Sequence, residues 1–302
     1  MGICVTLALT VLSFLGRSSF FAEICTHFVN LYALAGLAGT LLVTPARQWR
    51  WAAVCLAVFL VNGARVAGLY FPTAYALEDT ASLTVVSANL LSENRDRDRA
   101  IAWLREADAD VLMLQEVTDA WWTDLQAAFP KYAHMAVETR GDNFGIAVMS
   151  RIPLEDVAIA RFGDNDIPAV TGTVVTEAGG LRFVNLHTMP PGNAWGLALR
   201  NAQMNEAAAS IASGDEPGFV VGDFNCSPWS PYFHDLLREH DLRDARRGHG
   251  VLATWPSFAN PFMIPIDQCL TTSGAYVTDL DRGPNLGSDH LPLRLELAVS
   301  AD

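Results

Sequence analysis

Lysine is almost missing from this chain of 302 residues: Lys131 is the only one. Four arginines and one acid precede residue 72, leaving 16 basic against 32 acidic residues for the rest, a net charge of −16. A domain that grips long nucleic acid carries a basic footprint on its surface. This balance argues against tight, nonspecific binding of duplex DNA, and it favours a small or lipid-borne phosphate ester as partner. Cysteine is scarce too. Cys4, Cys25 and Cys55 lie in apolar segments, Cys226 and Cys269 lie further on, and no C-x-x-C spacing offers a thiolate metal site. Cys226 and Cys269 could pair in an exported domain or stay as two buried thiols, and sequence leaves both open. No repeat or low-complexity run interrupts the chain.

What is abundant is apolar sequence, concentrated before about residue 72. Ile3 to Gly16 is short for a membrane span, whereas Ile24 to Val43 and Trp51 to Phe71 are each about 20 residues long, which is what a span needs. The first stretch lacks the basic start and small-residue cleavage site of a secretory signal. Arg65, near the end of its stretch, is placed to snorkel to the interface. The expectation is a membrane anchor of two or three transmembrane helices over residues 1–71, a linker over 72–82 and a folded domain over 83–302. Arg47 and Arg50, between the second and third stretches, favour the cytoplasmic side. The third stretch then carries the remainder outward, giving an integral membrane protein with an extracytoplasmic domain.

Past the linker, strand-like runs alternate with helical patterns. Strands are expected at Leu83–Ala88, Val111–Leu114, Ile146–Met149, Phe219–Val221, Ile266–Leu270, Tyr276–Leu280 and Leu291–Leu297. A hairpin is expected from Val170–Val175 and Leu181–Leu186 about the Gly179-Gly180 turn. Helices are expected at Arg95–Ala107, Ala120–Phe129, Ala198–Ala212 and Tyr232–Glu239. The mixture reads as an α/β domain.

The strands end alike. Apolar runs lead into Asn89, Gln115-Glu116, His187, Asp223-Phe224-Asn225 and Asp267, and Asp289-His290 stands just before the last strand. Any one of these has an ordinary explanation: Glu116 as an acid at a helix start, His187 as a satisfied core histidine, Asp267 as a turn residue. A carboxylate against a core is costly unless paired, hydrogen-bonded or metal-bound, so six such ends suggest convergence at one rim. Asp223 and Asn225, two apart in an extended segment, would share a face while Phe224 turns into the core.

The ordered set Leu114-Gln115-Glu116, Asn185-Leu186-His187, Gly222-Asp223-Phe224-Asn225 and Ser288-Asp289-His290 resembles the endonuclease/exonuclease/phosphatase superfamily over about residues 82–299. Asp142-Asn143-Phe144-Gly145-Ile146-Ala147 and the apolar start resemble a bacterial, membrane-anchored branch of it. The resemblance implies a deoxyribonuclease-I-like fold, a two-layer β-sandwich of mixed sheets flanked by helices. It implies a phosphoesterase using Mg²⁺, with Mn²⁺ as a substitute. By the resemblance, Glu116 is the main metal ligand with Asn89 and Asp289 beside it. Asp223 orients and deprotonates the water, and Asn225 holds that water or a phosphate oxygen. His187 and His290 donate to developing charge, Asp267 holds His290, and Asn143 contacts the substrate phosphate. The sequence departs from relatives in lacking an aromatic before Asn89. Arg243, Arg246 and Arg247 form the one basic cluster near the expected mouth, read either as a phosphate receiver or as a solvated loop. A nuclease on the same scaffold and a catalytically inactive binding module are the competing functions.

Overall fold

A computed structural model describes residues 2–72 and 80–300. Residues 73–79 of the expected linker lie outside the described residues. The N-terminal part forms α1 (Gly2–Ser13), α2 (Phe20–Thr26), α3 (Val29–Val43) and α4 (Trp49–Ala67), the last continued by a 3-10 turn at Gly68–Tyr70. Among the described residues one unbroken helix, Trp49–Tyr70, is long and apolar enough to cross a membrane. The expected second span is bent. Its run breaks between Thr26 and Val29, and α2 meets α3 at 68°, so the pair meets the same standard only as one broken span. α1, at 12 residues, is too short for a span. Arg65 donates to Ser13 Oγ at 2.7 Å and lies over the Phe14 ring, so it ties α4 to the end of α1 rather than pointing away from the helices.

The remainder begins with β1 (Thr80–Asn89), α5 (Arg97–Glu106), β2 (Val111–Gln115), α6 (Asp119–Ala128), β3 (His134–Glu138), β4 (Ile146–Ser150) and β5 (Leu154–Arg161). It continues with β6 (Pro168–Thr176), β7 (Gly179–His187), α7 (Ala194–Ala212), β8 (Gly218–Asp223) and α8 (Pro231–Glu239). It closes with β9 (Arg243–Asp244), β10 (Asp267–Thr271), β11 (Ala275–Arg282) and β12 (Leu293–Ser300). Two six-stranded mixed sheets result, ordered β11-β12-β1-β2-β4-β3 and β5-β6-β7-β8-β10-β9. Each has one parallel pair at its centre, β1 with β2 and β7 with β8, and the other pairings are antiparallel.

The sheets pack face to face. Val85, Val111, Val148, Phe183, Phe219 and Val221 belong to the layer between them. The next residues along the same strands point outward: Val86 and Leu112 pack under α5 and α6, and Val184 and Val220 under α7 and α8. Strands buried on both faces need apolar residues at every position, which is why they read as unbroken runs. The expected sandwich flanked by helices is the fold found. Side-chain caps from Thr118, Asn193 and Ser230 start α6, α7 and α8.

The N-terminal helices are docked on the sandwich through specific side-chain contacts. Buried Arg200 of α7 donates to Glu23 Oε1 of α2 at 2.7 Å, and Ser230 Oγ donates to the same oxygen. His27 accepts the Ser227 N–H on Nδ1. Asn30 of α3 donates to the Met263 carbonyl, and Val29, Leu69 and Trp229 form a small apolar cluster across the junction.

Candidate active site

Strand direction assembles the site. Because β1 and β2 run parallel with Asn89 opposite Gln115, both end at one rim. In the second sheet β7 and β8 also run parallel, with His187 opposite Asp223, and antiparallel β10 begins at Asp267 opposite Asp223. β12, antiparallel to β1, begins just after Asp289-His290. Between the sheets, behind this rim, the Gln115 amide donates to Asn185 Oδ1 at 2.6 Å. Asn185 in turn donates to the carbonyls of Leu114 and Ala147. Asn185 therefore fastens one sheet to the other.

Asp223 is the hub. Its carboxylate is buried, with His187 Nε2 and His290 Nε2 each 3.5 Å from Oδ2. The Asn89 amide donates to the same oxygen at 3.2 Å, and the Asn225 N–H donates to Oδ1 at 2.9 Å. Gly222, at φ 139, is the residue that lets the strand turn here: a Cβ would sit 2.0 Å from the Leu186 carbonyl oxygen. Phe224 enters the core as expected, but Asn225 takes the left-handed conformation at φ 47, so the extended alternation stops at Asp223. The Asn225 side chain donates to the Thr188 carbonyl, which leaves its Oδ1 as the acceptor available to a water.

His290 lies between two acids, its Nδ1 being 3.0 Å from Asp267 Oδ2. Burial alone would lower its pKa, but the Asp267 and Asp223 carboxylates outweigh that and push it up to about 10. The imidazolium is therefore the form at neutral pH. His187 packs its ring 5.3 Å from Phe144, and its Nδ1 is buried with no hydrogen-bond partner.

Glu116 stands beyond Asn89. Its Oε1 accepts from the Asn89 amide at 3.0 Å and its Oε2 from the Ser92 N–H at 2.9 Å. Asn89 thus bridges Glu116 and Asp223 with its NH₂, while its Oδ1 accepts from the Leu91 N–H. Asn89 Oδ1 keeps one lone pair beside the Leu91 N–H bond. Asp289 accepts from Trp255 Nε1 on Oδ2 at 3.0 Å, and its buried Oδ1 has no partner. Ser288 Oγ donates to the Asn89 carbonyl, tying this loop to the end of β1. Ligand atoms of Asp223, Asp267 and His290 all fall within 4.8 Å of one another.

Two expectations end away from this cluster. Asn143 is exposed on a turn at φ 70, and only its neighbour Phe144 reaches His187. The three arginines do not form a cationic mouth. Arg246 is buried and donates to the carbonyls of Val251, Leu252 and Asp267, so it holds the start of β10 in place. Arg243 lies over the Tyr276 ring, and Arg247 is exposed. Loop residues missed by sequence reasoning are Ser92, Phe144 and Trp255. The two buried cysteines of the sandwich, Cys226 and Cys269, are free thiols.

The Endonuclease/Exonuclease/phosphatase family profile matches residues 86–290, and the chain belongs to that family. That span reaches from β1 to His290 and takes in every residue of the rim just described. No curated protein matches the chain in sequence. Among solved structures, an endonuclease/exonuclease/phosphatase from Bacteroides vulgatus is similar at 21% identity and TM-score 0.61, covering 73% of this chain and 100% of that one. TDP2 of D. rerio complexed with single strand DNA product matches at 16% identity and TM-score 0.59, over 72% of this chain and 99% of that one. The 3′ phosphatase NExo from Neisseria, bound to product DNA hairpin, matches at 18% identity and TM-score 0.57, over 70% and 98%. At such identities the likeness is one of fold.

Proposed function

We propose that the chain is a membrane-anchored, divalent-metal-dependent phosphoesterase that cleaves a phosphodiester or phosphomonoester by in-line attack of water. The family is one of hydrolases acting on phosphoester bonds. The observation that carries the reading is Asp223, a buried carboxylate between two histidines and one asparagine away from Glu116.

The donor set fits a hard cation. Glu116 and Asp289 offer carboxylate oxygens, and Asp289 Oδ1 is a buried acceptor with nothing to accept from, which suits Mg²⁺ or Mn²⁺. The Asp223, Asp267 and His290 trio, two carboxylates and an imidazole within 4.8 Å of one another, is a second donor set compatible with a divalent cation. When bound, the cation supplies charge neutralisation of the phosphoryl oxygens or leaving group.

The chain's own groups do the rest. The Asp223 carboxylate accepts a proton from the attacking water, and the Asn225 N–H on Oδ1 fixes its plane. His290, charged and held by Asp267, faces the phosphoryl group from the side of Asp223 and stabilises the negative charge that builds there. His187, whose Nε2 faces the same Asp223 oxygen and whose ring packs against Phe144, donates to that charge as well. Asn89 holds Glu116 and Asp223 at a set separation, so the two carboxylates keep distinct roles.

A nuclease is the alternative, supported by the DNA products named for two similar structures. The net charge of −16 past residue 72 disfavours it. The test is hydrolysis by the full chain in detergent, with Mg²⁺, of bis-p-nitrophenyl phosphate, phospholipid and single-stranded DNA. Metal-dependent release from either of the first two supports the reading, and turnover of DNA alone moves the protein to the nuclease class.

A further inference from the structure

We propose that the cavity between α3, α4 and the 251–263 loop is an acyl-chain site, and that the ester cleaved at the neighbouring rim is borne by a lipid. The inference rests on the phosphoesterase reading above and names the class of its substrate. The cavity measures about 970 Å³, at the upper end for small-ligand sites. Its anchor-side wall is apolar, with Leu34 from α3 and Phe59, Leu60 and Ala64 from α4. Leu34 and Leu60 are 49% and 58% exposed, so the cavity opens onto the same apolar surface that a bilayer would cover. Its far wall belongs to the catalytic sandwich and is polar at the edge, where Asn260, Asp281 and Arg282 stand. Asn30, on the α3 side, donates to the Met263 carbonyl, while its Oδ1 is a buried acceptor without a partner. A tail among the helices with a polar group toward Asn30 and Arg282 matches that division.

The far wall also joins the cavity to the chemistry. Trp255 and Ser257, in the loop that lines the cavity, donate to Asp289 Oδ2 and to the Asp289 carbonyl. The Leu291 N–H donates to the Thr254 carbonyl, and Met263 leads through Ile264 to Asp267 within four residues. One face of this loop therefore holds Asp289 while the other meets the cavity. At its tip Phe258 and Phe262 are 81% and 67% exposed, an unusual cost for large aromatics unless they sit at a membrane interface.

The experiment uses the full chain in nanodiscs containing a phosphatidylglycerol with a diazirine at mid-chain. Irradiation is expected to attach the lipid to peptides containing Leu34, Leu60 or Leu252. Gly63→Trp and Ala64→Trp should each fill the cavity. A Cβ at Gly63 meets only the Phe59 ring, at 3.8 Å, and Ala64 is exposed, so both variants should fold. In both, cavity attachment should fall at least tenfold, and headgroup release from long-chain phosphatidylglycerol should fall by a similar factor. Hydrolysis of bis-p-nitrophenyl phosphate should stay unchanged. With short-chain phosphatidylglycerols dissolved as monomers in water, whose tails leave water on binding, the wild-type KM should drop with chain length, by up to about fourfold for each methylene that enters. Attachment spread evenly over the helices overturns the proposal. So does attachment in the cavity with a KM indifferent to chain length, which marks a resident lipid. Absence of hydrolysis of any ester refutes the phosphoesterase reading instead, and the attachment pattern then judges the cavity alone.

Discussion

Asp223 accepts from or faces four groups, and only one of its neighbours, Asn225, is close in sequence. Replacing it with Ala removes the base without opening a large void, so turnover should fall by about a thousandfold or more while the melting temperature moves by only a few degrees. Steady-state kinetics beside a thermal melt check both halves. Near-full activity would remove Asp223 from the chemistry. Asp267→Asn should also lower kcat, because it weakens the hold on the His290 imidazolium. The thiols give a separate check. Burial pushes the Cys226 thiol up to about 11 and the Cys269 thiol further up. An acid held protonated in the fold stabilises it at neutral pH, and that contribution is lost as pH rises from about 8.5, the ordinary thiol value, through the folded value. Iodoacetamide at pH 8 should therefore modify neither cysteine in the native chain and both after denaturation without reductant, as read by mass spectrometry. A need for reductant would indicate a disulfide. At this scale the sequence was readable where a polar residue interrupts a buried run, as at Asn89, His187 and Asp223. Trp255 and Ser92 were not readable. Each acts from a loop on a partner 34 or 24 residues away, Asp289 and Glu116 respectively, and no local pattern marks such a pairing.

Among the elements, α2 has the most to add. Its Glu23 sits in a fully buried ion pair with Arg200, whose other amino group donates to the Asn225 carbonyl at 3.0 Å. An ion pair out of water is costly to break from one side. Glu23→Gln or Arg200→Met should destabilise the chain by about 3–5 kcal/mol, measured by denaturant unfolding in detergent. Because Arg200 holds the Asn225 backbone, kcat should fall in the folded fraction as well. A change below about 1 kcal/mol would make the docking of α2 incidental. The buried strands were legible in the sequence, whereas β3, β5 and the two-residue β9 were not, and the cause is physical. β5 is an edge strand, mostly exposed, and Leu154-Glu155-Asp156-Val157 carries no clean alternation to mark it. The α2–α3 bend was missed because hydropathy sums over Thr26, His27 and Phe28 without registering that the helix breaks there.

At the scale of the whole molecule, an apolar assembly of N-terminal helices is docked on an acidic sandwich. The topology expected from Arg47 and Arg50 on the cytoplasmic side predicts that a reporter fused after residue 302 signals from outside the cytoplasm, and a cytoplasmic signal would overturn it. The order of strands around each sheet was not legible from the chain, since it depends on pairings such as β8 with β10 that lie far apart in sequence. The family motifs conveyed it indirectly, because the same polar ends can meet only if the strands run as they do. The most direct test of the central claim is phosphoester hydrolysis by the full chain, titrated with Mg²⁺ after chelation, in wild type and Glu116→Gln. The account predicts no hydrolysis without metal, restoration by Mg²⁺ or Mn²⁺, and a raised metal requirement with much lower kcat in Glu116→Gln. Hydrolysis that persists under chelation, or a Glu116→Gln variant with an unchanged metal titration, would contradict it.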